Sequence, residues 1–478
     1  MTSGLALLPL AAVAAAAIAV LLLEAMFREA VRDILGYAAL AFLLACGFFS
    51  LRAWGRGYSY FGGRLGLDNL ALLLTLFLVL AAVLVILMSF KYLALRGLPA
   101  AEYFALLLLA LMGTMVMVSS QNLLIVFLGL EVLSVASYAL AGLHPHDPKS
   151  PEASIKYFLL GSFASAVLVF GLALFYGAAG SLEIRAVAPA LQAEPGAGIL
   201  GLAGLALVLA AFAFKIALVP FHMWTPDVYE GAPTPAAAFF SVGPKIAGFA
   251  VLVRLFSSLP PLNDPSRRLV WVLASLAVLT MVVGNLAALR QTNVKRILAY
   301  SSIGHAGYIA VGLAVRDYVS VVFYLAAYLF MTLGAFAAVT AMSREETEFV
   351  ELEDYAGLGF KYPWLGATFS LFLLSLAGFP PLAGFLGKYY IFSAAVRQGF
   401  AGLAIVGVLA TLVSVYFYLR VIVFMYMREP SREVGISQEN PSLFLVLFLC
   451  LYGVLQLGLN PGNVLALIRQ AVSALFPV

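Results

Sequence analysis

The sequence predicts an all-α, polytopic membrane protein with about fourteen transmembrane helices and two inverted five-helix repeats, each containing a broken helix. Three observations predict it. The chain is 64% hydrophobic and 10% charged, with a mean hydropathy of +1.04, whereas a soluble domain carries roughly 25% charged residues. Apolar windows of about 20 residues recur along it, bounded by charge, Pro or Gly. Two of those windows are interrupted by proline, at Pro220 and at Pro380-Pro381.

In chain order, spans are expected at about 5–23, 34–54, 68–90, 102–119, 122–142, 153–178, 199–230 (broken), 235–259, 268–289, 294–315, 318–342, 363–398 (broken), 400–427 and 442–460. No Lys or Arg precedes Arg28, so the first window lacks the basic start of a signal peptide and reads as a retained span. Ser150-Pro151-Glu152, Thr225-Pro226-Asp227 and Thr234-Pro235 read as helix starts, with a capping side chain, an early proline or an early acid. The longest polar stretch, about 343–361, reads as a loop.

Spans four to eight and nine to thirteen form two blocks whose fourth member is broken. An odd number of spans per block reverses its direction across the bilayer. The chain then divides into three N-terminal helices (1–100), a first block (101–260), a second block (261–430) and a last helix with its tail (431–478). Slightly more Lys and Arg fall on the cytoplasmic connections when both termini are outside, with Arg28, Lys295, Arg344 and Arg432 among them and Arg254 among those on the outer ones, which favours that orientation.

A proline inside a helix removes a backbone donor and clashes with the preceding turn. At membrane depth the freed polar backbone must be satisfied by protein or by a wet cavity. A charge beside such a break is the layout of a transporter ion site. Lys215 stands five residues before Pro220, and Lys388 seven after Pro381. Of 27 basic residues, the spans are expected to contain Lys215, Lys245, Lys388 and Arg420, the last near enough to a helix end to snorkel. Glu131 is the one acid expected deep in a span.

A charge at the bilayer centre costs at least about 2.5–3.5 kcal/mol, so each needs a partner or water. One reading is a structural ion pair between Glu131 and a lysine, which leaves two lysines unexplained. The other is a row of protonatable sites across the bilayer. Moving a proton against roughly 200 mV takes about 4.6 kcal/mol, which a pKa swing of about three units would match. Lysine suits that work because its proton affinity responds to surroundings, whereas arginine stays charged.

His305 lies in the tenth span, either packed or relaying protons between Lys245 and Lys388. His222, after the Pro220 break, either orders exposed backbone or passes protons. Asp227 and Glu230 read as caps or proton-entry groups. Ser134, Ser137 and Tyr138 are placed to bond Glu131 or to pack.

The remaining features exclude other classes. A net charge of +4 with no basic block gives no nucleic-acid footprint. Cys46 and Cys450 sit far apart in apolar runs and read as packing residues. Gly196 to Gly201 matches GxGxxG but follows no strand, so it reads as a helix start rather than a dinucleotide site. No cluster has metal-ligand spacing. The chain itself holds no means of redox chemistry, so energy for any pumping must arrive from partners.

Five motifs, LGLEVLSVASYALAG, SIKYFLLGSFASA, PFHMWTPDVYEGAPTP, NVKRILAYSSIGHAGY and LAGFPPLAGFLGKYYIF, closely resemble the subunit N family of proton-pumping NADH:quinone oxidoreductases (respiratory complex I), one of the antiporter-like membrane subunit families. The likeness runs over roughly 65–430. HMWTPDVYEGAPTP, and a lysine rather than a glutamate in the second broken helix, resemble subunit N rather than subunits M and L. The long lateral helix of subunit L has no counterpart in the sequence.

The resemblance implies that Glu131, Lys215, Lys245 and Lys388 match the central proton-channel residues, with His305 on the linking path. It implies a bacterial plasma membrane, and as partners the antiporter-like M and L subunits, small membrane subunits and a peripheral arm. NADH, FMN, iron–sulfur clusters and quinone would be handled by those partners, with no cofactor or metal in this chain. The alternative is a subunit of a multi-subunit sodium/proton antiporter without an electron-transfer partner. A third possibility is a structural subunit whose charges only bind helices together.

Overall fold

A computed structural model describes residues 7–27, 32–192, 195–259, 267–342, 348–430 and 440–476. Arg28, Arg344 and Arg432, which entered the orientation argument, lie outside the described residues. Three helices come first: α1 (Leu8–Phe27), α2 (Arg32–Ala53) and α3 (Asn69–Leu95). The first block is α4 (Ala100–Ser119), α5 (Leu123–Ala141), α6 (Lys149–Ala179), the short α7 (Val187–Gln192), α8 (Pro195–Lys215) with α9 (Trp224–Gly231), and α10 (Thr234–Ser257). The second is α11 (Arg267–Ala288), α12 (Val294–Ala314), α13 (Tyr318–Ala341), the one-turn α14 (Leu358–Lys361), α15 (Pro363–Ala377) with α16 (Ala383–Arg397), and α17 (Ala401–Met427). Then follow α18 (Pro441–Leu459) and α19 (Gly462–Ser473).

Thirteen of the described helices are long and apolar enough to cross a membrane. The fourteenth segment is the broken pair α15 and α16, of which α15 alone is a shorter apolar helix. Both breaks fall where proline forces them. Residues 216–223 between α8 and α9, and 378–382 between α15 and α16, are non-helical. The Val219–Pro220 and Pro380–Pro381 bonds are cis.

The two blocks repeat one construction. Gly113 on α4 and Gly129 on α5 bring those backbones so close that an added Cβ would stand 2.5 Å from the Gly129 carbonyl. Gly284 on α11 and Gly304 on α12 do the same, at 2.8 Å from the Gly304 nitrogen. Without a hydrophobic drive between helices in lipid, such small-residue contacts supply van der Waals association. In each block an asparagine, Asn122 or Asn293, caps the second helix with its side chain. The same residue makes an antiparallel bridge to the segment after the third helix, at Glu183 or Glu351.

The interior is α10, α12 and α13, whose apolar windows are 94–100% buried, whereas α1 is only 22% buried. A two-stranded hairpin, β1 (Tyr58–Tyr60) paired with β2 (Leu65–Leu67), and the amphipathic α19 were not foreseen. The expected loop at 343–361 contains a 3-10 turn, Leu352–Tyr355, and α14 within its described part. Cys46 and Cys450 are buried and free.

Several local expectations are corrected. Helices α6, α9 and α10 begin without a side-chain cap, behind Pro148, Met223 and Pro233. The Ser150 hydroxyl instead donates to the Ala141 carbonyl and so ties α6 back to α5. Two basic residues assigned to connections, Lys295 and Arg254, are 1% and 3% exposed. Arg254 makes a bidentate pair with Asp68, at 2.7 and 2.8 Å, and donates to the Val118 carbonyl. Arg420, partly buried, donates to the carbonyls of Leu289 and Gln291 where α11 ends, a structural role.

Candidate functional site

Lys215 is the last residue of α8, on the near side of the first break. Its ammonium donates to Ser134 Oγ at 2.9 Å and to Tyr157 Oη at 3.4 Å, and lies 5.4 Å from the centre of the Tyr157 ring. Ser134 is one turn beyond Glu131 on α5, so both face the break. Glu131 is half-buried and accepts a hydrogen bond from Ser165 of α6. It makes no direct pair with Lys215, although it is near enough for its charge to act on the ammonium. Ser137 donates to the Leu133 carbonyl and Tyr138 packs edge-on against Tyr157, so Ser165, not either of these, holds the carboxylate.

The exposed backbone of the first break is satisfied from outside it. The Trp224 indole donates to the Phe214 carbonyl at 3.0 Å, and Thr280 of α11 accepts from the Val219 amide at 2.9 Å. At the second break the lysine itself does this work. Lys388, on the far side, donates to the Leu376 and Ala377 carbonyls at 3.1 and 3.0 Å and lies 4.8 Å from the centre of the Tyr308 ring. The two breaks thus differ: Lys215 precedes its break, and Lys388 follows and caps its own.

Lys245 and His305 lie between. Lys245, beside Pro244 within α10, donates to Ser302 Oγ at 2.5 Å. Ser302 also takes the Tyr328 hydroxyl at 2.8 Å and stands 3.4 Å from that of Tyr229. One turn along α12, His305 Nδ1 meets Tyr324 Oη at 2.8 Å and Nε2 meets Tyr418 Oη at 3.2 Å. Its ring packs against Tyr308, the ring beneath Lys388, and the charges of both Lys245 and Lys388 act on it. The contacts fall into separate groups: Trp224 stands between Tyr157 and Tyr229, stacked on Tyr157 with ring centroids 4.4 Å apart, and His305 meets the Ser302 group and Lys388 only through the rings of Tyr328 and Tyr308.

Lys215, Lys245 and Lys388 are 3%, 2% and 4% exposed, and none makes a salt bridge among the described residues. Hydroxyls, carbonyls and aromatic faces hold the cations instead. The two other acids of the first break are fully engaged elsewhere: Asp227 pairs with Lys156 and Arg296, and Glu230 with Lys149 and Arg296. His222 stands apart, half-buried between the exposed Phe221 and Met223, and the structure does not join it to the series. The hydroxyls of Ser165, Tyr157, Tyr229, Tyr324, Tyr328 and Tyr418 were invisible to sequence reasoning. Nothing in their local pattern separates them from core packing.

The pattern defining the family described as "NADH:quinone oxidoreductase/Mrp antiporter, TM" matches residues 120–414, from the start of α5 to the middle of α17. NADH-quinone oxidoreductase subunit N of Trichlorobacter lovleyi is 42% identical over 459 residues, covering 95% of this chain and 94% of that one. The chain belongs to the NADH-quinone oxidoreductase subunit N family. A subunit N of Chloroflexus aggregans is 43% identical over 481 residues, covering 98% and 97%. A chain of respiratory complex I from Thermus thermophilus, solved with bound aureothin, shares the fold of this subunit N family member. The TM-score is 0.82 and the identity 37%, over 96% of this chain and 98% of that chain.

Proposed function

We propose that this chain is the proton-translocating membrane subunit, subunit N, of an NADH:quinone oxidoreductase in a bacterial plasma membrane, with both termini outside. Glu131, Lys215, Lys245 and Lys388 carry the proton, and His305 relays it between the last two. The single observation that supports this reading is the set of three buried lysines without salt-bridged carboxylates, each held by hydroxyls, carbonyls or aromatic rings, with His305 packed between the rings of Tyr328 and Tyr308. A purely structural set of charges would need acids on the lysines, because an unpaired buried charge is costly. A hydroxyl both donates and accepts, so it can pass a proton while holding an amine in place. Trp224 divides Lys215 from Lys245, and aromatic rings separate His305 from Ser302 and from Lys388, so local rearrangement at each of these points completes the path.

The division at residues 100, 260 and 430 places one broken helix in each block. The driving energy comes from electron transfer in partner subunits that handle NADH, FMN, iron–sulfur clusters and quinone. The antiporter-like M and L subunits, small membrane subunits and a peripheral arm complete that assembly. Identities of 42–43% to subunit N proteins favour this assignment over an antiporter without redox partners. The test is Lys215→Ala in the assembled complex, in sealed vesicles. Proton uptake per NADH and coupled quinone reduction should both fall; an unchanged proton-to-electron ratio would sink the proposal.

A further inference from the structure

The buried lysine that sequence reasoning placed in a connection forms a second polar centre. Lys295 Nζ donates to Glu348 Oε2 at 3.0 Å and to the Ala232 carbonyl at 2.8 Å. The lysine side chain is 2% exposed and the glutamate 14%. Glu348 Oε1 takes the Tyr92 hydroxyl and the Thr234 hydroxyl, the latter at 2.8 Å. Helices α3, α10 and α12, the residue after α9 and the segment after α13 therefore meet on one ion pair. His144, half-exposed on the α5–α6 connection, and Arg96, at the end of α3, are close enough for their charges to act on it.

This centre faces the line described above. Lys295 and Ser302, the acceptor of Lys245, are seven residues apart on α12, so they share one face about 10 Å apart. Helix α9 lies along that face, held near Ser302 by the Tyr229 hydroxyl and to Lys295 by the Ala232 carbonyl. Lys295 differs from Lys215, Lys245 and Lys388 in making a direct salt bridge to a carboxylate, an acid with which it can exchange protons.

We propose that Lys295 and Glu348 form a proton-loading pair between Lys245 and the aqueous face on which the α5–α6 connection lies. This rests on the pumping role proposed above. A swing of the flexible lysine stem carries the ammonium from Glu348 towards Ser302. There an N–H bond of Lys295 breaks and one forms on the Lys245 amine, with the Ser302 hydroxyl accepting one proton and releasing another. The Lys295 amine then takes a proton from the Glu348 carboxyl, which has been filled from the aqueous side and returns to carboxylate. No electrons move and no co-reactant is needed.

Lys295→Arg decides between this and a bolt that only holds helices together, because arginine keeps charge and donors but does not release a proton. In vesicles containing the assembled complex, Lys295→Arg and Glu348→Gln should slow coupled proton uptake by about tenfold or more. NADH oxidation by a soluble artificial acceptor and the amount of complex on a native gel should be unchanged. Wild-type uptake in Lys295→Arg would overturn the proposal, as would loss of the assembled complex in both variants, which assigns the pair to structure alone. Lys215→Ala runs in parallel. If it too pumps normally, the pumping role itself fails; if it alone is impaired, only the loading pair fails.

Discussion

Lys388 caps the half-helix that ends near Leu376: its ammonium donates to the Leu376 carbonyl at 3.1 Å, and to the next carbonyl at 3.0 Å. Those are orphan acceptors at a helix C-terminus, where the macrodipole also favours a cation. A group held this way is part of the break as well as of the polar series.

Lys388→Met should therefore cost more stability than Lys215→Ala. The first leaves two buried carbonyls unpaired, at about 1–3 kcal/mol each. The second leaves the Phe214 carbonyl held by Trp224. Thermal melting of the two complexes checks this, and equal losses would contradict it.

Ser302→Ala removes the oxygen shared by Lys245, Tyr328 and Tyr229. A hydrogen bond to a charged group contributes about 1.5–3 kcal/mol, so coupled turnover should fall by roughly tenfold or more while the complex still assembles. Unchanged proton uptake would show that Lys245 does not depend on this oxygen.

Gly378 ends α15 with φ +93°, and a Cβ there would stand 3.2 Å from Lys388 Cδ. Gly378→Ala should destabilise the break by about 1–2 kcal/mol and push the lysine off its carbonyls. Pumping should fall with the environment of Lys215 untouched, which a structure of the variant would reveal.

Glu348 gives a pH dependence outside the spans. Burial pushes its carboxyl up, but Lys295, the Tyr92 hydroxyl, Arg96 and Thr234 together outweigh that and hold it below the ordinary 4.5. A depressed folded value adds stability above the unfolded pKa, which is lost as pH falls through the folded one. The melting advantage of wild type over Glu348→Gln should thus be full above about pH 4.5 and shrink on acidification below it. An advantage that grew with acid would have the wrong sign.

The helices and the four central charges were legible because a charge inside a long apolar window has no local explanation. Pro220 and Pro380-Pro381 likewise announce their breaks, since proline cannot continue the ladder. Lys295 was not legible: it sits one residue inside α12, beside Asn293 and Arg296, where a window reads the end of a connection. Arg254 was misread for the same reason, at the last turn of α10. Its partner Asp68 and the Lys295 partner Glu348 come from distant segments, so only the folded chain brings them together. The hydroxyls around His305 arrive from α13 and α17 in the same way. The absent helix caps reflect another limit, because Ser150 spends its hydroxyl on a tertiary bond instead of its own helix.

The bridges from Asn122 to Glu183 and from Asn293 to Glu351 also bear on how the chain is made. Each asparagine meets its mate only after one further hairpin, α5 with α6 or α12 with α13, has been threaded into the lipid. Synthesis from the N-terminus therefore allows the α5–α6 latch to form before α11, α12 and α13 have been made.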